Sequence, residues 1–246
     1  MSSRRIIIYG DIHGCLDELV ALRTQIQAKS EDLEICVGDI MTRGPKSLEA
    51  LRYIKDENIL SIRGNNDDMF LRLRDELIKE KDEELAERYT LEYSILKLMS
   101  TEDFTIIEEM PFYYKIKNLT VIHGGIQPDM SLDEANGDEL QLLTRISYLD
   151  DSHKYVKPRD RDKQVRHWSD VYDGREGFIV YGHHVFKEAK LEKYSLGIDT
   201  GCVFGKKLTA AIFDMSNDVI DISGHVLISQ PAFDTHFKSI KPFKKS

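Results

Sequence analysis

The sequence is poor in cysteine, in long apolar runs and in positive charge, and each shortage excludes a class of protein. Its three cysteines, Cys15, Cys36 and Cys202, are scattered and form no CxxC pair. We therefore interpret them as small buried residues in a reducing compartment. No apolar run approaches membrane-spanning length, and Arg4-Arg5 leads directly into a predicted strand rather than a signal peptide. These features predict a cytoplasmic protein with no membrane partner.

The balance of charge limits the partners further. A formal net charge of −9 argues against a general nucleic-acid surface, which needs clustered lysine and arginine. Bound divalent cations could still reverse the local field, so a small polyanionic substrate stays possible. With 246 residues, 41% of them hydrophobic, the chain can bury a sizeable core. We expect one domain over residues 1–237 with a helical insertion around 68–110, followed by a flexible basic tail at 238–246.

The first third of the chain alternates between strand and helix patterns. Strands are predicted at 4–9, 33–37 and 59–63, and helices at 16–28 and 45–56, the second with Pro45 in its first turn. This β-α-β-α-β order predicts a parallel sheet with right-handed crossovers.

The remainder is less regular. Residues 67–100 are charged and helical in pattern, which favours a solvated helical face over a cap above an active site. A short helix follows from 101, then strands at 113–116 and 119–122, and loops with short helices over 127–175. The last predicted strands suggest an antiparallel continuation packed against the first sheet; they lie at 177–181, 189–193, 196–199, 208–214 and 219–223.

Chemistry-bearing side chains recur at the ends of five predicted strands, always beside glycine. In an open α/β sheet the carboxyl ends of the strands are where ligands bind. These residues are Asp11, His13, Asp39, Asn65, His123 and His183. Such a mixed oxygen and nitrogen set suits first-row divalent metals. Six ligands exceed one tetrahedral site, so we expect two metal ions that share one bridging carboxylate, assigned to Asp39.

Each of these residues has a plainer explanation when taken alone. Asp39 and Asn65 could be turn formers, and a single histidine at a strand end is more often structural than a ligand. Five coincident strand ends favour the metal centre. The other histidines lack such a setting, and we interpret them as structural or surface residues; they are His153, His167, His225 and His236.

The motifs that carry these residues resemble those of the calcineurin-like metallophosphoesterases. They match best the branch that contains the phosphoprotein phosphatases and the symmetrical, ApaH-like diadenosine tetraphosphatases. The motifs are Gly10-Asp11-Ile12-His13-Gly14, Gly38-Asp39-Ile40-Met41-Thr42-Arg43-Gly44, Arg63-Gly64-Asn65-Asn66-Asp67, His123-Gly124-Gly125 and Gly182-His183. The resemblance implies an α/β fold, a four-layer αββα sandwich with mixed sheets and a dinuclear centre at its edge.

The resemblance also implies roles for individual residues. Asp11, His13 and Asp39 would bind the first metal ion, and Asp39, Asn65, His123 and His183 the second. Mn²⁺ is the leading expectation, with Co²⁺, Zn²⁺, Fe²⁺ or Mg²⁺ as alternatives. Arg43 and Arg145 would clamp phosphate, as a planar guanidinium does well, although Arg145 could equally form a surface salt bridge. His184 could contact substrate or simply pack, and Asn65 would lie within reach of the substrate.

Two positions depart from the family pattern. The family motif Gly-Asn-His-Glu or Gly-Asn-His-Asp uses its histidine to protonate the leaving group, but this chain has Asn66 there, followed by Asp67. We expect both residues among the catalytic set. Protein phosphatases orient that histidine with an aspartate where this chain has Thr42. Because an amide cannot act as an acid, the change reflects either natural specialisation or a deliberate histidine-to-asparagine substitution that slows turnover.

The missing acid favours some substrates over others. General acid catalysis contributes about 10² to 10⁴-fold and matters most for strongly basic leaving groups. A phosphate leaving group, with a second pKa of about 6, can depart unprotonated. We therefore expect a hydrolase of phosphoanhydrides such as dinucleoside polyphosphates, with a metal-bridging hydroxide as nucleophile. The alternatives are a Ser/Thr or Tyr phosphoprotein phosphatase and a nucleotide-binding module that has lost turnover.

Overall fold

A computed structural model describes residues 4–77, 86–160 and 164–238, without the side chain of Pro158. The predicted basic tail therefore lies outside the described residues except for Lys238, and so does the part of the charged run from 78 to 85.

The first sheet contains five strands in the order β12-β11-β1-β2-β3. Their bounds are β1 Arg5–Tyr9, β2 Leu33–Cys36, β3 Leu60–Ser61, β11 Lys207–Asp214 and β12 Val226–Pro231. Strands β1, β2 and β3 run parallel, as the β-α-β-α-β pattern predicts, whereas β11 pairs antiparallel with β1 and β12 antiparallel with β11.

The second sheet also contains five strands, in the order β4-β5-β8-β10-β9. Their bounds are β4 Tyr113–Ile116, β5 Leu119–Ile122, β8 Phe178–Tyr181, β9 Lys190–Leu191 and β10 Ser195–Gly197. A separate two-stranded ribbon pairs β6, Tyr148–Leu149, with β7, Arg166–His167.

Side chains alternate between the two faces of each strand, and this determines which layers the strands contact. In β1, Ile6 and Ile8 face the second sheet, while Ile7 and Tyr9 face the helices. Successive strand residues point to opposite faces, so a strand buried on both sides reads as a continuous apolar run. On β8 the outward residues Ile179 and Tyr181 form a third apolar cluster with Trp168 and its neighbours. The α/β sandwich with two mixed central sheets is thus confirmed.

Helices cover the outer face of the first sheet. They are α1 Leu16–Ile26, α2 Ser47–Asp56, α3 Asn65–Leu77, α4 Thr90–Leu96 and α5 Thr101–Glu109. Within the described residues, the fourth layer, over the second sheet, contains one short helix, α6 Gly137–Leu142, three-residue 3₁₀ turns and loops. No helix in the described part of the chain is long and apolar enough to cross a membrane.

Three expectations were wrong in detail. Strand β8 runs parallel to β5, and β10 runs parallel to β8, rather than antiparallel, whereas β9 is antiparallel to β10. The last strand is not at 219–223, because the Asn118 side chain bonds both the N–H and the carbonyl of Ile220 and holds that segment away from the sheet. Helix α2 begins at Ser47 rather than Pro45, because the Lys46 N–H donates to the carbonyl of Gly14.

An ion pair between two of these helices gives a pH-dependent contribution to stability. The Arg52 guanidinium on α2 donates two 2.8 Å hydrogen bonds to Asp103, whose carboxylate also accepts from Ser100 at the start of α5. These bonds, led by that from Arg52, lower the pKa of the buried Asp103 to about 2. A folded-state pKa below the unfolded one adds stability at neutral pH, which is lost as the pH falls from about 4 to about 2.

We expect Asp103→Asn to destabilise the protein at pH 7 by about 1 to 2 kcal/mol, a range that allows for the half-exposed Arg52. The difference in free energy of unfolding should shrink as the pH approaches 2. Urea titrations across this pH range measure it, with Glu102→Gln on the same turn as the control. A deficit that is independent of pH would contradict the ion-pair origin.

Candidate metal centre

The carboxyl ends of strands from both sheets meet at one edge of the sandwich. Strands β1 and β2 deliver Asp11, His13 and Asp39 from the first sheet, and β5 and β8 deliver His123 and His183 from the second. These strand ends lie so close together that the glycines beside them have no room for a side chain. A Cβ at Gly182 would lie 2.0 Å from Asp11 Oδ1, and one at Gly64 would lie 2.2 Å from the backbone nitrogen of Asp39.

The six predicted ligands lie together as two groups around one shared carboxylate. Possible ligand atoms of Asp11, His13 and Asp39 all lie within 4.8 Å of one another, and so do those of Asp39, His123 and His183. Asp39 Oδ2 is 3.5 Å from His13 Nε2, and Asp39 Oδ1 is 3.4 Å from His123 Nε2. The two oxygens of Asp39 thus face different groups, an arrangement that would let this carboxylate bridge two metal ions.

Asn65 completes the second group. Its Oδ1 lies 3.2 Å from His123 Nε2, on the same side as Asp39 Oδ1. The residue opens helix α3 directly after Gly64, so the strand-to-helix turn holds the amide in place.

Backbone carbonyls fix which nitrogen each histidine presents. His13 Nδ1 lies 3.1 Å from the carbonyl oxygen of Met41, and His123 Nδ1 lies 2.7 Å from that of Val37. A carbonyl only accepts, so each Nδ1 carries the donated proton, and Nε2 is the nitrogen directed into the site.

The site residues also share an unusual backbone. Positive φ angles occur at His13 (47°), Asp39 (53°) and His183 (65°), and at Thr42 and Arg43 in the loop after β2. Left-handed conformations of non-glycine residues cost energy and persist where the surroundings impose them.

Asp67 supplies much of that constraint. Its fully buried carboxylate accepts the backbone N–H groups of Asp39, Ile40, Met41 and Gly64. We expected Asp67 among the catalytic residues, but this geometry occupies its oxygens with the loop that carries Asp39.

A buried carboxylate missing from the predicted set joins the centre. Asp199 follows β10 as Asp11 follows β1, it is buried, and it accepts the N–H of Gly201 at 3.0 Å. Burial and the charge of Asp39 raise its pKa to about 6, against the opposing effect of the Gly201 hydrogen bond. Burial and the charge of Asp199 likewise raise the pKa of Asp11. Asp199 follows a buried strand as the other site residues do, but no glycine adjoins it, so the pattern of strand ends beside glycine does not include it.

The histidines respond to this concentrated negative charge in opposite ways. Burial, with the nearby Arg43, lowers the pKa of His13 to about 4, so its Nε2 lone pair is available at neutral pH. Burial opposes protonation of His123 too, but Asp39 and Asp11 outweigh it and raise its pKa to about 10. The buried carboxylates of Asp11, Asp39 and Asp199 favour a nearby cation. Together with the imidazole and amide donors of the two groups, they fit a pair of divalent metal ions.

The two predicted phosphate clamps lie on different sides of the centre. Arg43 Nη1 is 2.9 Å from His13 Nε2, beside the first group. Arg145 lies near His123 on the other side. The carbonyl of Leu143, two residues before it, accepts the N–H groups of Gly124 and Gly125, which follow His123. The Arg145 guanidinium also donates to Asp68 at 3.2 Å, the salt bridge that the sequence left open.

The positions that depart from the family pattern are separated in the structure. Asn66 lies at the Asp39 carboxylate, with its backbone N–H donating to Asp39 Oδ1 and its side-chain amide to Oδ2. The Thr42 hydroxyl instead donates to Glu92 on α4 at 3.2 Å. The two side chains therefore do not form the oriented pair known from protein phosphatases.

His184 packs among aromatic side chains. Its ring centroid lies 4.9 Å from that of Phe186, 5.1 Å from His167 and 5.5 Å from Tyr148. This placement favours packing over the substrate contact that the sequence also allowed.

Known proteins share the sequence over most of its length. The sequence profile of the calcineurin-like phosphoesterases matches residues 4–229. A relative named bis(5'-nucleosyl)-tetraphosphatase PrpE [asymmetrical] from Oceanobacillus iheyensis is 31% identical over 85% of this chain and 88% of its own. The protein of the same name from Bacillus subtilis is 28% identical over 84% and 89%.

Solved structures of related proteins have the same fold as this chain. A crystal structure described as "a putative diadenosine tetraphosphatase" superposes with a TM-score of 0.74 at 26% identity and covers 95% of this chain and 96% of its own. A yeast protein serine/threonine phosphatase, with a TM-score of 0.63 at 14% identity over 94% and 81% of the two chains, shares the fold. The chain belongs to the calcineurin-like phosphoesterase family, whose members are metal-dependent hydrolases.

Proposed function

We propose that this protein hydrolyses a phosphoanhydride bond of a dinucleoside polyphosphate with the help of two divalent metal ions, Mn²⁺ being the leading candidate. The observation that carries the proposal is the shared carboxylate: Asp39 turns one oxygen toward His13 and the other toward His123, 3.5 and 3.4 Å away. Asp11, His13 and Asp39 would hold one ion, and Asp39, Asn65, His123 and His183 the other. When bound, the ions would activate a water molecule and neutralise charge on the phosphoryl group.

The residue beside that carboxylate favours an anhydride over an ester. Asn66 takes the place of the family's proton donor and can hydrogen-bond to an oxygen but cannot protonate it. Phosphate leaves as an anion at neutral pH, whereas an alkoxide does not leave readily without a proton. This argument ranks a phosphoanhydride above a phosphoserine ester.

The surroundings of the centre suit a chain of phosphates. Arg63, Arg72 and Arg145 all lie within 4.0 Å of the Asp68 carboxylate, so three cations share one anion. Arg145 also lines a groove of about 480 Å³ with Lys157 and Arg159. This local positive charge stands out in a chain of net charge −9, and charge of this sign attracts polyphosphate.

The names of the relatives suggest where the bond is cut. They are called asymmetrical tetraphosphatases, whereas the motifs alone suggested the symmetrical enzymes. We infer an unequal cut that leaves one phosphate on one product and three on the other.

The substrate class is tested by product analysis. With Mn²⁺ and diadenosine tetraphosphate we expect AMP and ATP, resolved by ion-exchange chromatography, and much slower release of phosphate from a phosphoserine peptide. Two molecules of ADP would indicate a symmetrical cut. Faster hydrolysis of the peptide than of the nucleotide would contradict the proposal and favour the protein phosphatase.

The shared carboxylate gives a prediction about bound metal. The native chain should bind about two Mn²⁺ ions, His13→Ala should retain about one, and Asp39→Asn should lose more than His13→Ala because both groups use its oxygens. Metal content after dialysis, measured by mass spectrometry, decides this independently of activity. The exposed His153 serves as the control through His153→Asn. Equal metal content in the native protein and Asp39→Asn would contradict the dinuclear assignment.

Restoring the missing acid gives a prediction about leaving groups. Asn66→His should speed hydrolysis of an alkyl phosphate by about 10² to 10⁴-fold, of an aryl phosphate by less, and of a phosphoanhydride by the smallest factor. Single-turnover rates measure the chemical step without product release. The substitution is made alone, because an aspartate at position 42 would face the carboxylate of Glu92.

The same experiment tests the second candidate function, a nucleotide-binding module. Asn66 suggests it because the chain lacks the proton donor that turnover uses in the family. A uniform gain across the three substrates would show that position 66 acts through phosphate positioning rather than proton donation. No hydrolysis in either variant, combined with tight nucleotide binding, would favour the binding module.

A further inference from the structure

A second groove, of about 690 Å³, opens between helices α2 and α4 and begins at Arg43. Aliphatic side chains line both of its walls, Leu48 on α2 and Leu91, Ile95 and the following Leu98 on the side of α4. Polar side chains lie among them, including Ser47 and Glu49 on α2 and Ser94 on α4. Leu91 and Leu98 are 38% and 71% exposed, although apolar side chains of this size are usually buried. A cavity of this volume that combines apolar and polar side chains is large enough for a small molecule.

Arg43 joins this groove to the metal centre. The same guanidinium that lines the groove lies 2.9 Å from His13 Nε2 in the first ligand group. One side chain therefore spans the distance between the metal ligands and the groove. A phosphate held by Arg43 would have its substituent at the mouth of the groove.

A hydrogen bond ties the far wall to the same loop. Glu92 on α4 accepts from the Thr42 hydroxyl at 3.2 Å, and Thr42 and Arg43 are consecutive residues with positive φ angles of 71° and 67°. The helical insertion thus contacts the loop that carries the phosphate clamp. Its place beside the centre argues against a purely solvated helical face.

The other cationic side chains of this groove, Arg52 and His236, are engaged elsewhere, and Glu49 is an anion on its α2 wall. Arg52 is bound by Asp103 through two hydrogen bonds, and His236 lies 3.1 Å from Glu18. Arg43 is left as the cation that also reaches the metal ligands, so phosphate would bind at that end of the groove and the aliphatic side chains lie beyond it. The groove beside Arg145 differs in carrying two further cations, Lys157 and Arg159.

We propose that the groove between α2 and α4 binds the nucleoside that is attached through one phosphate to the scissile bond, with its base between the aliphatic walls. This assignment rests on the proposed function and deepens it. The nucleoside monophosphate side of the substrate lies toward Arg43, and the longer phosphate chain extends toward Arg145 and Lys157. The exposed leucines of the insertion are then specificity-determining residues.

Equilibrium binding of AMP to the Mn²⁺-loaded protein tests this, with inorganic phosphate as the comparison ligand. In the double variant Leu91→Ser with Leu98→Ser we expect AMP affinity to fall about tenfold or more through loss of apolar contact, and phosphate affinity to stay within twofold. The matched control is Leu191→Ser, an exposed leucine on β9 that does not line the groove. Thermal unfolding confirms that the variants fold, and Leu98→Ser alone is the milder alternative.

Unchanged AMP affinity in the double variant would overturn the proposal, and so would a loss of AMP affinity confined to Lys157→Gln and Arg159→Gln. Failure of the proposed function has a different signature. If diadenosine tetraphosphate is not cleaved but AMP binding still depends on Leu91 and Leu98, the groove is a nucleoside site and the assigned reaction is wrong. If diadenosine tetraphosphate is cleaved but AMP affinity does not depend on Leu91 and Leu98, the assigned reaction is correct and the groove is not the nucleoside site.

Discussion

One buried carboxylate, that of Asp39, is the point on which the rest of the structure depends. Its two oxygens face His13 and His123, and Asn66 donates to both of them. A charge of this kind is costly to bury unless it is compensated. The protein compensates it with the two imidazoles and with the backbone N–H and side-chain amide of Asn66, and divalent ions would do so more completely. The left-handed backbone at Asp39, the four N–H groups held by Asp67 and the bare glycine at position 64 all serve to hold this carboxylate in place.

Packing two mixed sheets face to face explains why the ligands come from such distant parts of the chain. Each sheet contributes strand ends to the same edge, so Asp11 and His183 are neighbours although 172 residues separate them, with the His183 N–H donating to the Asp11 carboxylate. Only glycine fits at Gly182, where the strand ends approach most closely. The sandwich therefore positions the ligands through its core.

Much of this arrangement was predictable from local patterns. The buried apolar runs before Gly10, Gly38 and His123 fixed both the strands and the strand-end ligands, because strand period and ligand position are local properties. Contacts between distant side chains were not predictable. The Asn118 amide removes residue 220 from the sheet, and the bond from Thr42 to Glu92 spans 50 residues. Neither leaves a periodic signal. Asp199 does follow a buried strand, β10, but it lacks the adjacent glycine that marks the other residues at strand ends.

The most direct test of a dinuclear centre on Asp39 is anomalous diffraction at the manganese edge from crystals grown with Mn²⁺. Two peaks about 3.5 to 4 Å apart, each within coordination distance of a different oxygen of Asp39, are the expected result. One peak, or two peaks that do not share Asp39, would contradict the dinuclear centre and the mechanism built on it.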